Sequence, residues 1–497
     1  MQIDFLESKD GSKTFSADGI FYHSTYSPLK EAQRFIDSSQ FLYEPKIIFF
    51  VEPGLNYFSN PIKQKFNKCK VVCIRMFEQN FEDENTWDFV IQYNKTKRLS
   101  QFLINTFGEE LLLSSTVLIW KPSETLFKDS IKDFILQYKT TLESCKTLLV
   151  TRQFFEKKWL INSCNFIVHS KNYIEPVIKT KLPVIICASG PSLEPCLEII
   201  KNFRKSIFVL CLSSALSVLV QNNITPDLIL STDGGYWAGE HLKVLKKNPD
   251  ITLAVPCEAF IPKTILHKNK ILPLCYNDQS SFICSDILNK AKLPAFKALR
   301  NPTVSGTALY LAKSITDNSI FFCGLNLAGA KGFQHSQPNE LEKNNELIDS
   351  RIRTKDSRIS RSRYNSESLE IYRDWFSSLP SNEVQNVYRV IQDSSQSSLG
   401  NIKDIDFNKF FDKLKNYKSL SKDFKFTDAS FIKTNPKEVL DFVIEKLEDE
   451  KWNRQIFPAD YISIQNCTDE NEKTVLRNRL NEKTQKLIQK IRLIADE

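Results

Sequence analysis

The sequence predicts an α/β protein built around a doubly wound parallel sheet, with a smaller α/β domain before it and a helical domain after it. Three observations predict this. Six apolar runs of strand length, at 183–189, 206–212, 226–233, 251–256, 270–276 and 319–325, are separated by segments of helical length, the pattern of parallel strands joined by crossover helices. Small, hydroxyl and acidic residues gather just after those runs, where ligands of such sheets bind. The tail from Phe407 is rich in Lys, Glu, Leu and Asn at helical spacing, which predicts helices and no further sheet.

Length and composition agree. A chain of 497 residues holds about three folding units, and 41% hydrophobic with 25% charged residues is globular composition. Sixty-seven Lys and Arg against 59 Asp and Glu leave only +8, mixed in sign along the chain, so charge implies no nucleic acid. The 12 cysteines sit mostly inside apolar runs such as Phe208 to Cys211, without a CxxC; they read as core hydrophobes of a reducing cytosol, and neither zinc nor any other metal is expected. The start, MQIDFLESKDGSK, has acidic residues and no apolar stretch, so a cytoplasmic chain without a signal peptide is expected. The uncharged stretch Ser206 to Pro226 holds Ser213, Ser214, Ser217 and Asn222, and reads as a buried strand and helix instead of a membrane span.

In chain order, PKIIFFVEPG, CKVVCIRMF and STVLIW give three strands of a domain at 1–150, followed by helical spacing from Ile131 to Lys146. A helical linker is expected at 151–178, the central domain at 179–410, and the helical domain at 411–497. Between 351 and 363, RIRTKDSRISRSR carries six cations against Asp356: a solvated loop, or a flap over an anionic ligand. The middle of SNEVQNVYRVIQDSS is a last strand candidate.

Four motifs carry chemistry. Ala188-Ser189-Gly190-Pro191-Ser192-Leu193 follows the first central strand and precedes a helical pattern. Free N–H groups and a helix dipole there suit an anion, with Gly190 allowing close approach and Ser192 either bonding the ligand or capping the helix. The turn fits neither GxGxxG nor GxxxxGK[ST]. Pro226 to Trp237 ends a strand at Asp233, followed by Gly234, Gly235, Tyr236 and Trp237: a carboxylate for a hydroxyl or a proton and rings for stacking, or a helix cap and core aromatics. Asn301 to Ala308 puts Thr303, Ser305 and Thr307 at the start of a helix, again an anion site or ordinary capping. Phe322 to Gly329 leads to His335 in a polar loop, a candidate general base.

Together, HSTYSPLKEAQRF at 23–35, ASGPSL, PDLILSTDGG and GLNLAGAKGFQH resemble the motility accessory factor (Maf) family of bacterial flagellin glycosyltransferases. The central domain of that family is related to the 6-hydroxymethylpterin diphosphokinase (MptE-like) group. The resemblance spans about residues 20–410, and ASGPSL is also similar to the Gly-x-Gly-Pro-Ser-Leu turn of some bacterial sialyltransferases, with Ala188 in place of the first glycine. It implies a Rossmann-like, sialyltransferase-type central domain that transfers a nonulosonic acid, of pseudaminic or legionaminic type, from a CMP-sugar to Ser or Thr of flagellin. The donor is a substrate, and no obligatory cofactor is implied. Carried onto this chain, Ser189, Gly190, Pro191 and Ser192 hold the nucleotide phosphate, and Ser213 and Ser214 face ribose or base. Asp233, with Gly234 and Tyr236, lies beside the donor, Thr303, Ser305 and Thr307 close the site, and His335 or Asp233 is the base. Asn326, counted among the donor contacts, stands where the family often has Asp, and DSSQSSLG at 393–400 replaces a more glycine-rich, acidic segment. Two other readings compete: a pyrophosphate-transferring, pterin diphosphokinase-like enzyme, and a flagellin-binding assembly factor without catalysis.

Overall fold

A computed structural model describes residues 2–78, 81, 84–96, 98–276, 282–327, 332–361, 367–392, 397–429 and 433–496. The chain forms two compact units, one of Met1–Glu156 with Glu450–Lys486, the other of Lys157–Asp449 with Leu487–Glu497.

The first unit opens with an antiparallel meander, β1 (Ile3–Glu7), β2 (Lys13–Ala17) and β3 (Ile20–Phe21). A four-stranded sheet follows, of β4 (Ile47–Val51), β5 (Lys70–Arg75), β6 (Phe89–Gln92) and β7 (Ser115–Ile119), in the order β6-β5-β4-β7 and parallel throughout. The run IIFFV is buried on both faces because alternate side chains enter different cores. Ile48 and Phe50 join the aromatic cluster of Phe15, Tyr22, Phe58 and Trp120, while Ile47, Phe49 and Val51 pack with Leu103 and Phe134.

The second unit carries the expected six strands: β9 (Val184–Cys187), β10 (Phe208–Leu212), β11 (Leu228–Leu230), β12 (Thr252–Pro256), β13 (Lys270–Tyr276) and β15 (Ile320–Cys323). It adds β8 (Asn172–Tyr173), β14 (Phe296–Ala298), β16 (Val387–Val390) and β17 (Lys403–Ile405). The order is β14-β13-β12-β11-β10-β9-β15-β16-β17, with β8 beside β13, and every pairing is parallel. From β9 the chain steps outward to β14, then returns to the other side of β9 as β15. That reversal between β9 and β15 is a topological switch point. The helix Val304–Ile315 lies on this sheet through Ala308, Leu309, Leu311, Ala312 and Ile315, which share one core with Val184, Ile186, Phe208, Leu210 and Phe322. As the crossover into β15 it runs antiparallel to the strands, so its N-terminus sits at their carboxyl ends.

Two boundaries differ from the sequence expectation. The division between units falls inside the 42-residue helix Lys128–His169, not near 178. The later part of that helix belongs to the central unit because Asn162 Nδ2 donates to the Gly234 and Glu258 carbonyls, at 3.3 and 2.9 Å. The residues after 411 are helical, as expected, but they are shared out: Pro436–Leu447 is in the central unit and Glu450–Ile456 and Pro458–Asn466 are in the first. Asn466 Nδ2, for example, donates to the Leu113 carbonyl at 2.7 Å. All 12 cysteines are free, ten of them buried, in keeping with core roles. Among the described residues, no helix is long and apolar enough to cross a membrane.

Candidate functional site

Beyond the ends of β9 and β15 the ladder continues between two loops: Ala188 N donates to the Cys323 carbonyl at 2.8 Å and Gly190 N to the Gly324 carbonyl at 2.9 Å. Both glycines are dictated by this approach. A Cβ on Gly190 would meet the Gly324 carbonyl and the Asn326 amide, and Gly324 has φ +84° with the Ala188 carbonyl against it. Asn326 then clamps the turn. Its Oδ1 accepts from Ser192 N at 3.2 Å and Ser192 Oγ at 2.9 Å.

This corrects the expectation of an anion cradle at ASGPSL. Gly190 N, Ser192 N and Leu193 N are all taken by protein acceptors, and the segment Pro191–Cys196 is a 3₁₀ turn leading into only the six-residue helix Leu197–Asn202. The helix end that does lie at the strand ends' cleft is that of Val304–Ile315. In its first turn Ser305 N gives a long 3.4 Å bond to the Thr303 hydroxyl and Gly306 N a 3.0 Å bond to the Thr303 carbonyl, and the positive end of this 12-residue helix points to the cleft.

The loops enclose a cleft of about 250 Å³ at the carboxyl ends of β9, β10 and β15. Ser189, Gly190, Ser214 and Asn326 line it from the strand ends; Thr303 and Ser305 line it from the helix; His335 lines it from the loop after β15. Ser214 Oγ donates to Ser189 Oγ at 3.0 Å, joining the turns after β9 and β10. Tyr372 and Leu369, which the sequence reading did not single out, line it from the helix Glu367–Ser377. That helix is seated by Trp375 on Gly306, where a side chain would collide with the indole. Their only sequence signal was an amphipathic stretch after the cationic segment.

His335 is held by its neighbours. Ser336 N and Oγ donate to the Ser189 and Gly190 carbonyls, both at 2.7 Å, Gln337 N to Glu194 Oε1 at 3.0 Å, and Asn339 Nδ2 to the Ser214 carbonyl at 3.3 Å. His335 and Gln334 also line a second hollow of about 340 Å³, with Phe333, Asn339 and Arg353. Burial, and then the charge of His241, lower the His335 imidazole below its ordinary value, so it is neutral at neutral pH.

Residues 157–332 match the family model described as 6-hydroxymethylpterin diphosphokinase MptE-like. Over these residues the chain is similar to an MptE-like domain. That domain holds the switch point, the Gly190 turn and the Val304–Ile315 helix, so the relationship implied by the sequence motifs falls on the elements that build the cleft. A Treponema pallidum (strain Nichols) protein described as uncharacterized is 29% identical over 317 residues, 63% of this chain and 68% of its own length. The solved structure of a Maf glycosyltransferase from Magnetospirillum magneticum AMB-1 aligns with 100% of this chain and 92% of that chain, at 12% identity and a TM-score of 0.49.

The remaining sequence-chosen residues stand elsewhere. Ser192 is buried behind Asn326, and Pro191 and Ser213 do not line the cleft. Thr307 is buried and donates to the Leu299 carbonyl at 3.3 Å. Asp233 is exposed and outside the cleft, its Oδ1 accepting Gly235 N at 2.9 Å before the helix Tyr236–Leu242. Gly234 packs on Trp159, and Tyr236 is exposed beside Trp237. Ala328 and Gly329, residues 393–396 and residues 362–363 of the cationic segment lie outside the described residues. Among the described residues, no group of three or more His, Cys, Asp or Glu could hold a metal ion.

Proposed function

We propose that the chain is a glycosyltransferase that moves a nonulosonic acid from its CMP-activated form to Ser or Thr hydroxyls of flagellin. One observation carries this reading: the neutral imidazole of His335 belongs to two adjoining hollows, one of which also holds the N-terminus of the Val304–Ile315 helix. Transfer between two substrates needs that arrangement. In the first hollow the helix end and the hydroxyls of Ser189, Ser214 and Thr303 receive the nucleotide phosphate. As the bond between anomeric carbon and phosphate oxygen breaks, the electron pair leaves with CMP, which the helix dipole favours. The acceptor hydroxyl enters from the second hollow, forms the new bond to the anomeric carbon and gives its proton to His335. The CMP donor and the flagellin acceptor come from the motif resemblance; the geometry supports a base set between two ligands.

The test is calorimetric titration with CMP, against UDP, GDP and ATP with Mg²⁺. Selective CMP binding supports the reading. His335→Ala is expected to keep that affinity and to lower turnover by roughly 10²–10⁴-fold, and unchanged turnover would remove His335 from the mechanism. The sign of the pH dependence follows from the lowered imidazole. The free base persists as pH falls through the ordinary value of about 6.5 and is lost only further down, so the acid limb of kcat/KM lies below 6.5. The MptE-like match favours a second reading, pyrophosphate transfer from ATP, which predicts ATP selectivity in the same titration. No nucleotide binding at all would favour the assembly-factor reading over either enzyme.

A further inference from the structure

A hollow of about 790 Å³ lies at the opposite end of the central sheet from the cleft, against Thr252 and Lys270, the first residues of β12 and β13, and against β8. Its walls are tied together by backbone and buried amides. Ala429 N donates to the Tyr173 carbonyl at 2.9 Å and Glu175 N to the Thr427 carbonyl at 2.8 Å, which fixes the segment after Phe424 beside β8. The buried Asn269 gives Nδ2 to the carbonyls of Asn248 and Ile251, at 3.3 and 3.2 Å, and so holds the turn that brings Pro249 and Asp250 to the rim. Thr252 and Tyr173, 2% and 7% exposed, form the depth of the hollow. Phe424 and Phe426 form one side, half-buried on the central core with their rings edge to face at 5.7 Å.

The charge around this hollow is one-sided. Four lysines line it against two aspartates, and Asp428 is already engaged by Lys270 at 2.6 Å. Among the described residues, the ammonium groups of Lys171, Lys268 and Lys425 have no carboxylate partner. They come from three separate segments and converge on one concavity whose phenyl side is of low dielectric, an arrangement that concentrates positive potential inside it. We infer that the hollow is a second ligand site, for a phosphorylated small molecule whose phosphate groups sit among Lys171, Lys268 and Lys425. Lysine binds phosphate as a point charge with three donors and needs no fixed fork, and the volume is that of a small-molecule site, roughly 300–1,000 Å³. No residue lines both this hollow and the cleft, so the inference does not rest on the reading of the cleft.

The test is calorimetric titration of the full chain with inorganic pyrophosphate at fixed ionic strength, with Tm followed over the same concentrations. Saturable binding is expected, with a Tm that rises as the site fills. Lys171, Lys268 and Lys425 are exposed, so their replacement by Gln leaves the fold intact. Lys268→Gln and Lys425→Gln should each weaken pyrophosphate by about threefold or more, as loss of one exposed ion pair requires, and the triple variant with Lys171→Gln should lose saturable binding. Val304→Asp, which alters the cleft, should bind pyrophosphate normally. ADP without metal separates the two sources of phosphate: affinity above that of pyrophosphate, lost in the triple variant, identifies an organic phosphate lying on Phe424 and Phe426. Absence of saturable pyrophosphate binding, or full affinity in the triple variant, overturns the inference. Binding lost in Val304→Asp and kept in the triple variant belongs to the cleft and overturns it as well.

Discussion

Gly190 shows how a residue can be chosen rightly and explained wrongly. Its motif suggests a backbone that approaches a ligand, whereas the space a side chain would need is filled by the Gly324 carbonyl and the Asn326 amide. The glycine is required because two protein loops touch. Gly190→Val should therefore push the loop after β15 outward, costing about 1–3 kcal/mol as an overpacked site and weakening CMP binding at the same time. Thermal unfolding and calorimetry on the same variant check this. Lost CMP affinity at unchanged Tm would mean that the missing side chain does make room for a ligand. Ser192 and Asn326 have the same lesson in them: both were chosen as ligand contacts, and both are engaged with each other.

At the scale of elements, strand runs were legible because burial on both faces makes them continuous apolar blocks, and all six central runs are strands of one parallel sheet. Short edge elements were not: β17 is only Lys403–Ile405, and β14 only Phe296–Ala298, too short for a period to register. Which helix offers its N-terminus to the cleft was also hidden, since ASGPSL and NPTVSGTA both have the small and hydroxyl residues of a helix start, and only the helix that follows, six residues against twelve, separates them. Val304 lines the cleft at the opening of the helix that does offer it. Val304→Asp places a carboxylate where a helix N-terminus favours one, by about 0.3–1 kcal/mol, so the fold should hold while a phosphate is excluded. CMP affinity is expected to drop tenfold or more, with Tm falling only by what the contact of the half-buried Val304 with the central core contributes. Unchanged affinity would place the phosphate elsewhere.

For the molecule as a whole, the MptE-like match stops at 332, yet the sheet does not. Strands β16 and β17 extend it past β15, Phe321 stacks on Tyr388 with centroids 5.2 Å apart, and the Arg389 guanidinium, 1% exposed, gives Nε and Nη2 to Asp404 at 2.7 and 2.8 Å. Asp404 and Asp406 have the spacing of a metal-binding pair in sequence, but one neutralises this arginine and the other caps the helix Phe407–Lys415 through Lys409 N at 2.8 Å. If the two added strands are integral, Asp404→Ala strands a buried cation. It should cost about 2–4 kcal/mol, somewhat less than a fully enclosed pair because Asp404 keeps 23% of its side chain in water. The loss should appear as one cooperative urea transition of the central unit, with CMP affinity falling only once that unit begins to unfold. If the strands are an appendage, the same variant should show an early separate transition and bind CMP normally through it, because the cleft at β9, β10 and β15 would not depend on them.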